Sequence, residues 1–373
     1  MKFYIEVETT GMHNQFYDKF NIRYEIFQVI KCIWTNPTYR QNLSTESRVN
    51  VSFFVRFVNL LLNDVTFVLD ESLTAFHKIH ALQLALGPGN LASLTNEERQ
   101  EKEEALTEAE SRARSYMQLT NSTVAMLKLF TSALAAAFTM PEIVQRLADM
   151  LDYNLDVMVG AKSSELKVRD PDSYGFDPKH LLSELIDVYL HLGNRDAFVL
   201  AVARDGRSYK PENLETATVL LRRYALKTPE EIAAWAKLAQ RFQIAKQEDE
   251  QTEQDLGEIP DDFLDPLMFS LMLDPVILPK SGVTIDRSTI QSHLLSDPND
   301  PFNRAPLRIE DIRDDVEMRE RIAKWRHDRM EEKHKEGVSQ LTAAPTAVTN
   351  PQQSDDREAQ VSEPHSAMDT SGR

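Results

Sequence analysis

Cysteine is almost absent from this chain, in which Cys32 is the single cysteine among 373 residues. A lone cysteine excludes an intramolecular disulfide framework and is typical of proteins from reducing compartments. It also excludes the paired zinc sites of cysteine-rich domains, which need about eight Cys and His ligands. Any small domain in this chain must therefore be held together by other interactions.

Basic residues and glycine are also scarce. The chain has 42 Lys and Arg against 59 Asp and Glu, a net charge of −17, which disfavours nucleic-acid binding and suits basic or mixed partners. With only 11 glycines and few alternating apolar and polar runs, the pattern favours helix over sheet. Hydrophobic residues make up 42% of the chain, enough for a sizeable core in one large domain or two to three smaller domains.

Long uninterrupted hydrophobic runs are missing as well. The apolar runs at residues 51–62 and 126–138 contain Arg56 and Lys128, respectively. Both are shorter than the roughly 20 residues of a membrane span. The N-terminal residues, Met1 to Glu6, lack the apolar region of a signal peptide. We therefore expect neither a membrane span nor secretion, and the glycosylation-like triplets at Asn42 and Asn121 carry no weight.

Helical periodicity extends over residues 1–246. The predicted helices cover residues 21–34, 51–63, from Asp64 or Thr66 to Leu86, 126–138, from Pro141 to Leu151, 179–192, 196–204, 213–225 and 229–246. A charged segment capped by Thr95 or Asn96 either runs to Met117 or breaks near residues 119–122. Short connections and the lack of strand patterns favour an all-α, armadillo-like solenoid with degenerate repeats.

The pattern changes after residue 246. Residues 247–258 are acidic without an apolar period, which fits a solvated linker or a frayed extension of the preceding helix. Residues 259–330 predict a small α+β domain with a hairpin of residues 276–278 and 283–285 and a helix over 289–295. Asp286 or Ser288 caps this helix, and the last helix starts at Asp314 or Asp315. Residues 331–373 predict a disordered tail.

A domain of about 70 residues has only a marginal core of its own. Its histidines are His293 and His327, too few ligands for a structural metal. Polar side chains of the right type to join loops by hydrogen bonds are Ser281, Asp286, Arg287, Asp300, Asn303 and Arg304.

Four motifs in this domain occur together in one order: Asp274-Pro275-Val276, Ile285-Asp286-Arg287, His293-Leu294 and the stretch from Asp300 to Leu307, Asp-Pro-Phe-Asn-Arg-Ala-Pro-Leu. With this spacing and without cysteines, the domain resembles the U-box, the zinc-free relative of the RING finger found in ubiquitin ligases. The Asp-Pro-Phe-Asn-Arg version is most similar to the U-box ubiquitin chain elongation factors of the ubiquitin-fusion-degradation type. Residues 57–64 and 69–73 are similar to that family's helical core, so the chain resembles an N-terminally shortened member.

The resemblance implies a ligase without cofactor that binds a charged ubiquitin-conjugating enzyme and holds its thioester for reaction, carrying no ubiquitin itself. Arg304 occupies the position of the family's linchpin cation. The residues expected to contact the conjugating enzyme are Leu267, Phe269, Met272, His293, Pro301, Phe302 and Pro306. Ser281, Asp286, Arg287, Asp300 and Asn303 would form the structural network, with Asn303 joining two loops.

The resemblance also implies partners and a location for the protein. The implied partners are the conjugating enzyme, ubiquitin, ubiquitinated substrates and a hexameric AAA unfoldase of the valosin-containing type. Elongated chains would direct substrates to the proteasome, in the cytoplasm and the nucleus.

Each of these assignments has a plainer alternative. Leu267, Met272 and Phe302 are also compatible with core positions, Arg304 with an intradomain salt bridge, and His293 with an ordinary surface-helix residue. Cys32 lies among apolar residues, which predicts a buried core thiol rather than a ubiquitin acceptor. His77 and His80 have the helical spacing of metal ligands but no third ligand in view, so we interpret them as ordinary helix residues. The rival function is a non-catalytic helical scaffold with a structural U-box.

Overall fold

The structure is a computed structural model that describes residues 1–7, 19–90, 94–296, 299–308 and 311–342. A helical region comes first, and a small mixed domain follows it. The helices of the first region are α1 (Lys2–Glu6), α2 (Lys19–Ile33), α3 (Pro37–Val49), α4 (Val51–Ala85), α5 (Asn96–Phe138), α6 (Pro141–Val159), α7 (Pro178–Leu192), α8 (Asp196–Arg204), α9 (Pro211–Arg223) and α10 (Pro229–Leu256).

Helix starts follow from local chemistry. Proline occupies the first turn of α3, α6, α7 and α9, where its missing N–H leaves no hydrogen bond unmade. Thr95 caps α5 in a reciprocal capping box with Glu98, which decides between the two predicted caps. Helix α3 was not predicted, because its mean hydropathy is low and few of its residues are buried.

The two longest helices contradict the predicted breaks. Asp64, predicted to start a new helix, lies in the middle of α4. Both of its carboxylate oxygens accept from Nη1 of buried Arg23, at 2.6 and 2.8 Å, and the Tyr4 hydroxyl donates to the same group. The predicted break near residues 119–122 is also absent, because Thr120 donates to the Val68 carbonyl of α4 at 2.9 Å and stays within α5. Polar residues that indicate breaks in sequence are here satisfied by tertiary hydrogen bonds.

One hydrophobic core runs through the helical region. Helix α4 packs along α5, α6 packs against α8, and α10 packs against α8 and α9. This succession of neighbouring helices is consistent with a solenoid, and the armadillo-like arrangement stays a prediction. Cys32 is exposed, so its expected burial was wrong: Trp34 occupies the core side of this turn and Cys32 faces outward.

Helices α4 and α5 are each long and apolar enough to cross a bilayer, contrary to the expectation from the shorter runs in the sequence. About half of each apolar window is buried inside the protein. Residues such as Phe57 and Leu127 pack in the shared core. Their hydrophobicity is therefore accounted for by the helix–helix interface.

Buried acidic groups collect where α6 and α7 meet the loop after α8. Asp152 accepts a hydrogen bond of 2.5 Å from the hydroxyl of buried Tyr189. Its other oxygen, Oδ2, is buried and has no hydrogen-bond partner among the described residues, and the same holds for Asp205 Oδ2 and the Tyr209 hydroxyl. Burial raises the pKa of Asp152 well above its ordinary value, and the charges of Asp205 and Asp149 add to the rise despite the bond from Tyr189.

Replacing Asp152 with asparagine is expected to stabilise the protein at neutral pH by on the order of 1 kcal/mol. The folded state binds the Asp152 proton more tightly than the unfolded state, so stability is lost as pH rises through the raised pKa. Asparagine keeps the acceptor for Tyr189 and carries no charge. Thermal melts of the parent and the variant at pH 7 and pH 4 check this. The gain in stability must be larger at pH 7, and an equal gain at both pH values would contradict a raised pKa of Asp152.

The C-terminal domain has a three-stranded antiparallel sheet and two helices. Its elements are β1 (Pro275–Ile277), β2 (Thr284–Asp286), α11 (Arg287–Ser296), β3 (Arg313–Asp314) and α12 (Val316–Thr342), in strand order β2-β1-β3. The hairpin of β1 and β2 pairs Val276 with Ile285, as predicted. Strand β3 was missed, because a two-residue charged strand has no periodicity to detect.

Two small apolar clusters hold this domain together. One contains Val276, Leu278, Ile285, Ile290 and Leu307, and the other contains Phe263, Met272 and Ile322 with Trp325 packed against them. Helix α12 packs against α10, and α11 packs against α6, so the domain contacts the helical region.

Two segments are more helical than predicted. Helix α10 continues to Leu256 through most of the acidic residues 247–258, in agreement with the alternative of a helix extension. Helix α12 reaches Thr342, so the part of the predicted tail at 331–342 is helical, and the prediction for 343–373 lies outside the described residues.

Candidate functional site

The first loop of the C-terminal domain, residues 265–270, is built around a buried carboxylate. Asp265 Oδ1 accepts from the backbone N–H groups of Leu267 and Met268 at 2.8 and 2.9 Å. The Asp265 N–H donates to the Ser270 carbonyl at 2.7 Å, and the Phe269 N–H donates to the Asp265 carbonyl at 2.8 Å. These bonds close the loop into a tight ring.

The second loop, residues 300–305, repeats this pattern. Asp300, also buried, accepts from the Phe302 N–H through Oδ1 at 2.9 Å. The Asp300 N–H donates to the Ala305 carbonyl and the Arg304 N–H donates to the Asp300 carbonyl, both at 2.8 Å. A single antiparallel bridge closes each loop at its base, Leu264 with Leu271 and Asn299 with Pro306. The two loops are therefore copies of one backbone structure.

The fifth residue of each loop has a left-handed backbone conformation. Phe269 has φ 55° and Arg304 has φ 57°. For a residue with a Cβ this conformation costs roughly 1 kcal/mol, and such strain is concentrated at functional positions. Both side chains are exposed, Phe269 to 76%.

Apolar side chains of the two loops are presented to solvent. Leu267 is 41% exposed and Phe302 is 39% exposed, so neither belongs to the core. Pro306 is exposed and Pro301 is half-buried. Exposed apolar groups on two rigid, strained loops are typical of a contact surface for another protein.

Two predicted contact residues have other environments. Met272 is only 1% exposed, so its assignment to the contact surface was wrong. Its side chain packs in the core with Phe263 and with Ile322 of α12. His293 is half-buried, and its Nε2 lies 2.9 Å from the Asn299 carbonyl. This contact joins α11 to the base of the second loop and gives His293 a structural role.

Asp286 is the centre of the polar network. Its Oδ2 accepts from the N–H groups of Leu273 and Asp274 at 2.7 and 3.0 Å, and its Oδ1 caps α11 through Ser288 at 2.9 Å. Its own N–H donates to Asp265 Oδ2 at 2.9 Å. The first loop, β2 and α11 are thereby held together by carboxylates in place of metal ions.

Arg287 extends the network across the sheet. Its Nε donates to Asp274 Oδ2 at 2.6 Å and its Nη2 pairs with Asp314 of β3, while Arg319 of α12 pairs with the other oxygen of Asp274. Burial would raise the pKa of Asp274, but the hydrogen bonds from Arg287 and Arg319 outweigh it and hold the pKa below its ordinary value.

Two members of the predicted network do not join loops. The Ser281 hydroxyl is buried, and no residue in the described ranges hydrogen-bonds to it. Asn303 is exposed, and its Oδ1 accepts from the Ala305 N–H at 2.9 Å, within the second loop. Asp274, Asp314 and Arg319 of the network were missed in the sequence, and so was Asp265. The Asp-Pro dipeptides at 265–266 and 300–301 are the sequence signal that indicates it.

Arg304 takes part in none of the ion pairs between described residues, and its side chain is exposed. The alternative of an intradomain salt bridge is therefore not supported. Its guanidinium, with five N–H donors in a planar fork, is available to a partner.

The described ranges contain no cluster of three or more His, Cys, Asp or Glu side chains arranged to hold a metal ion. Addition of a strong chelator is therefore expected to leave the thermal melt of the protein unchanged. A zinc-dependent RING domain treated in parallel is the control. A melt that collapses on chelation would contradict a network made only of hydrogen bonds and ion pairs.

Comparison with protein families and curated proteins agrees with this geometry. Residues 1–243 match the family described as "Ubiquitin elongating factor core", and residues 259–331 match the U-box domain. The chain is 50% identical over 322 residues to the ubiquitin conjugation factor E4 of Schizosaccharomyces pombe, covering 86% of this chain and 32% of that protein.

Two further relatives match over a similar share of this chain. The E4 ubiquitin-protein ligase UFD2 of Saccharomyces cerevisiae is 42% identical, covering 90% of this chain and 35% of that protein. The probable ubiquitin conjugation factor E4 of Arabidopsis thaliana is 35% identical, covering 94% of this chain and 34% of that protein. The chain spans about a third of the length of these relatives.

Proposed function

Since this chain belongs to the family that joins a ubiquitin elongating factor core to a U-box domain, we propose that it acts as a ubiquitin ligase. It binds a charged ubiquitin-conjugating enzyme through the two loops of the U-box and promotes ubiquitin transfer and the elongation of polyubiquitin chains. The relatives named as conjugation factors and as a ubiquitin-protein ligase support this proposal.

The proposal depends on apolar side chains and a cation that are exposed on the same two loops. Leu267, Phe269 and Phe302 are exposed on the twin loops, and Arg304 lies on the second loop without an ion pair among the described residues. The apolar groups supply affinity by losing contact with water. The guanidinium supplies directed hydrogen bonds at the same surface.

The mechanism is positioning without covalent participation. The reaction itself transfers ubiquitin from the conjugating enzyme's thioester to a substrate amine. The amine nitrogen attacks the thioester carbonyl, an amide bond forms, the C–S bond breaks, and the released thiol takes up the proton that the amine loses. Arg304 donates to a carbonyl of the conjugating enzyme and to ubiquitin at once, so the thioester is held in one reactive orientation. The rate gain is that of an entropy trap, in which freedom of the flexible ubiquitin is removed before the chemical step.

The family resemblance supports a finer proposal about substrates and location. Proteins that already carry ubiquitin are the substrates, and their longer chains mark them for the proteasome. A hexameric AAA unfoldase of the valosin-containing type is the partner that unfolds the ubiquitinated proteins. These events take place in the cytoplasm and the nucleus.

A non-catalytic scaffold is the competing function. A U-box kept only for structure has no use for strained, exposed Phe269 and Arg304, since a glycine at either position would fold at lower cost. The geometry of the loops therefore favours the ligase.

Single-turnover discharge of ubiquitin from a charged conjugating enzyme onto free lysine tests the proposal. The chain is expected to accelerate discharge over the conjugating enzyme alone, and to extend chains on a ubiquitin-fused substrate faster than on the same substrate without ubiquitin. If none of a panel of conjugating enzymes is accelerated, the ligase function is rejected in favour of the non-catalytic scaffold.

A further inference from the structure

The first and second loops hold their fifth residues by the same backbone hydrogen bonds, although Phe269 is apolar and Arg304 is cationic. We propose that Asp265 and Asp300 are positioning residues for the ligase reaction. Each buried carboxylate fixes its loop so that the residue four positions later, Phe269 or Arg304, stays in the left-handed conformation that presents its side chain. The inference rests on the proposed function and deepens it.

Asp300 acts on Arg304 through the backbone. Its Oδ1 accepts from the Phe302 N–H at 2.9 Å, which shapes the first half of the loop. Its main chain bonds both Arg304 and Ala305 at 2.8 Å, which closes the second half. Without the carboxylate, the first half of the loop loses the side-chain hydrogen bond that helps to offset the unfavourable φ of Arg304. The backbone is then free to relax to negative φ, and the guanidinium moves away from the contact surface.

Asp265 acts on Phe269 in the same way, with one addition. Its Oδ1 accepts from Leu267 and Met268, and its main chain bonds Phe269 and Ser270. Its Oδ2 also accepts from the Asp286 N–H at 2.9 Å, which ties the loop to the sheet. Asp265 thus uses both carboxylate oxygens.

Asp300 uses only one of its side-chain oxygens. Its Oδ2 is buried and has no hydrogen-bond partner in the described part of the chain. This asymmetry predicts that asparagine can take over the role of Asp300, since the amide keeps one accepting oxygen. Asparagine cannot take over the role of Asp265, because the amide NH2 would face the Asp286 N–H.

The two positions serve different steps of the reaction. Phe269 is apolar and contributes to the affinity for the conjugating enzyme. Arg304 hydrogen-bonds to the activated thioester complex and contributes to the rate at saturation. Loss of Asp265 should therefore raise the concentration of conjugating enzyme needed for half-maximal rate, and loss of Asp300 should lower the rate at saturation.

A double-mutant cycle tests the second loop in the full chain. At saturating charged conjugating enzyme, Asp300→Ala is expected to lower discharge about tenfold, and Asp300→Asn to keep it within about twofold of the parent. The double variant with Arg304→Ala should be no slower than Arg304→Ala alone, because Asp300 acts only through Arg304. Losses that multiply, or an asparagine variant as slow as the alanine variant, would overturn the assignment.

The same cycle on the first loop uses titration of the conjugating enzyme. Asp265→Ala and Asp265→Asn are both expected to weaken binding at least as much as Phe269→Ala, because Asp265 also holds the backbone of Leu267. The double variant should lose less than the sum of the two single variants. If either aspartate variant lacks a cooperative U-box melt, Asp→Ser at that position, which keeps one accepting oxygen, is measured in its place. Additive losses would again contradict the proposal.

The outcomes separate this inference from the function on which it rests. A parent chain that fails to accelerate discharge overturns both. A parent that accelerates discharge, combined with multiplying losses in the two cycles, overturns only the positioning role.

Discussion

Replacing Arg304 with alanine is expected to lower the rate of ubiquitin discharge by about tenfold to a hundredfold. Hydrogen bonds to a charged group contribute about 1.5–3 kcal/mol, and each 1.4 kcal/mol lost from the transition state is tenfold in rate. The fold should be unaffected, because the guanidinium is exposed and has no ion pair among the described residues. Single-turnover discharge and a thermal melt measure the two effects separately.

Arg304→Gly sharpens this test. Glycine adopts a φ of 57° without a Cβ clash. The free energy of unfolding of this variant should therefore equal that of the parent or exceed it by at most about 1 kcal/mol. Its activity should be as low as that of the alanine variant. Arg304→Lys keeps the charge but loses the planar fork and should be intermediate.

Lys324 provides the control, since it is an exposed cation on α12 of the same domain. Lys324→Ala should discharge ubiquitin at the parental rate. Retention of full activity in Arg304→Ala, with Lys324→Ala unchanged, would remove Arg304 from the mechanism. Equal losses in both would assign the effect to the net charge of the domain.

Replacing Leu267 with alanine is expected to weaken binding of the conjugating enzyme by at least about 2 kcal/mol, roughly thirtyfold, as for a central contact residue. Leu267 is 41% exposed. Its backbone N–H, and not its side chain, makes the hydrogen bond to Asp265. The loop should therefore keep its shape when the side chain is shortened. Titration of the conjugating enzyme measures the affinity, and the melt verifies the fold.

Two variants control for this prediction. Val219 is 60% exposed on α9, so Val219→Ala removes exposed apolar surface from the helical region and should change neither binding nor melt. Met272→Ala should instead destabilise the U-box by about 2–5 kcal/mol, because it leaves a cavity beside Phe263. Unchanged affinity in Leu267→Ala would remove the first loop from the contact surface.

The predictions that held are those that depend on local chemistry. The pairing of Val276 with Ile285, the cap of α5 at Thr95 and the exact bounds of α8 follow from turn residues, capping residues and apolar period. Asp286 and Arg287, predicted to join segments, make hydrogen bonds between segments, because half-buried charged groups need partners.

The predictions that failed depend on which face of an element meets a neighbour. Met272 and Leu267 are both apolar and five residues apart, yet one is core and the other exposed. Asp64 and Thr120 indicate helix breaks locally, but partners on other helices keep them within α4 and α5. Cys32 lies beside Trp34 in sequence and on the opposite side of α2 from the core.

The sequence by itself determined the helical class of residues 1–246, the lack of cysteine ligands in the C-terminal domain and the identity of its motifs, because composition, periodicity and ligand count are properties of the chain. Only the tertiary structure decided that Asp265 and Asp300 build two copies of one loop and that Phe269 and Arg304 share a strained backbone. Those features depend on hydrogen bonds closed through space and on burial of two carboxylates. Neither closure nor burial is set until the sheet and both helices have packed.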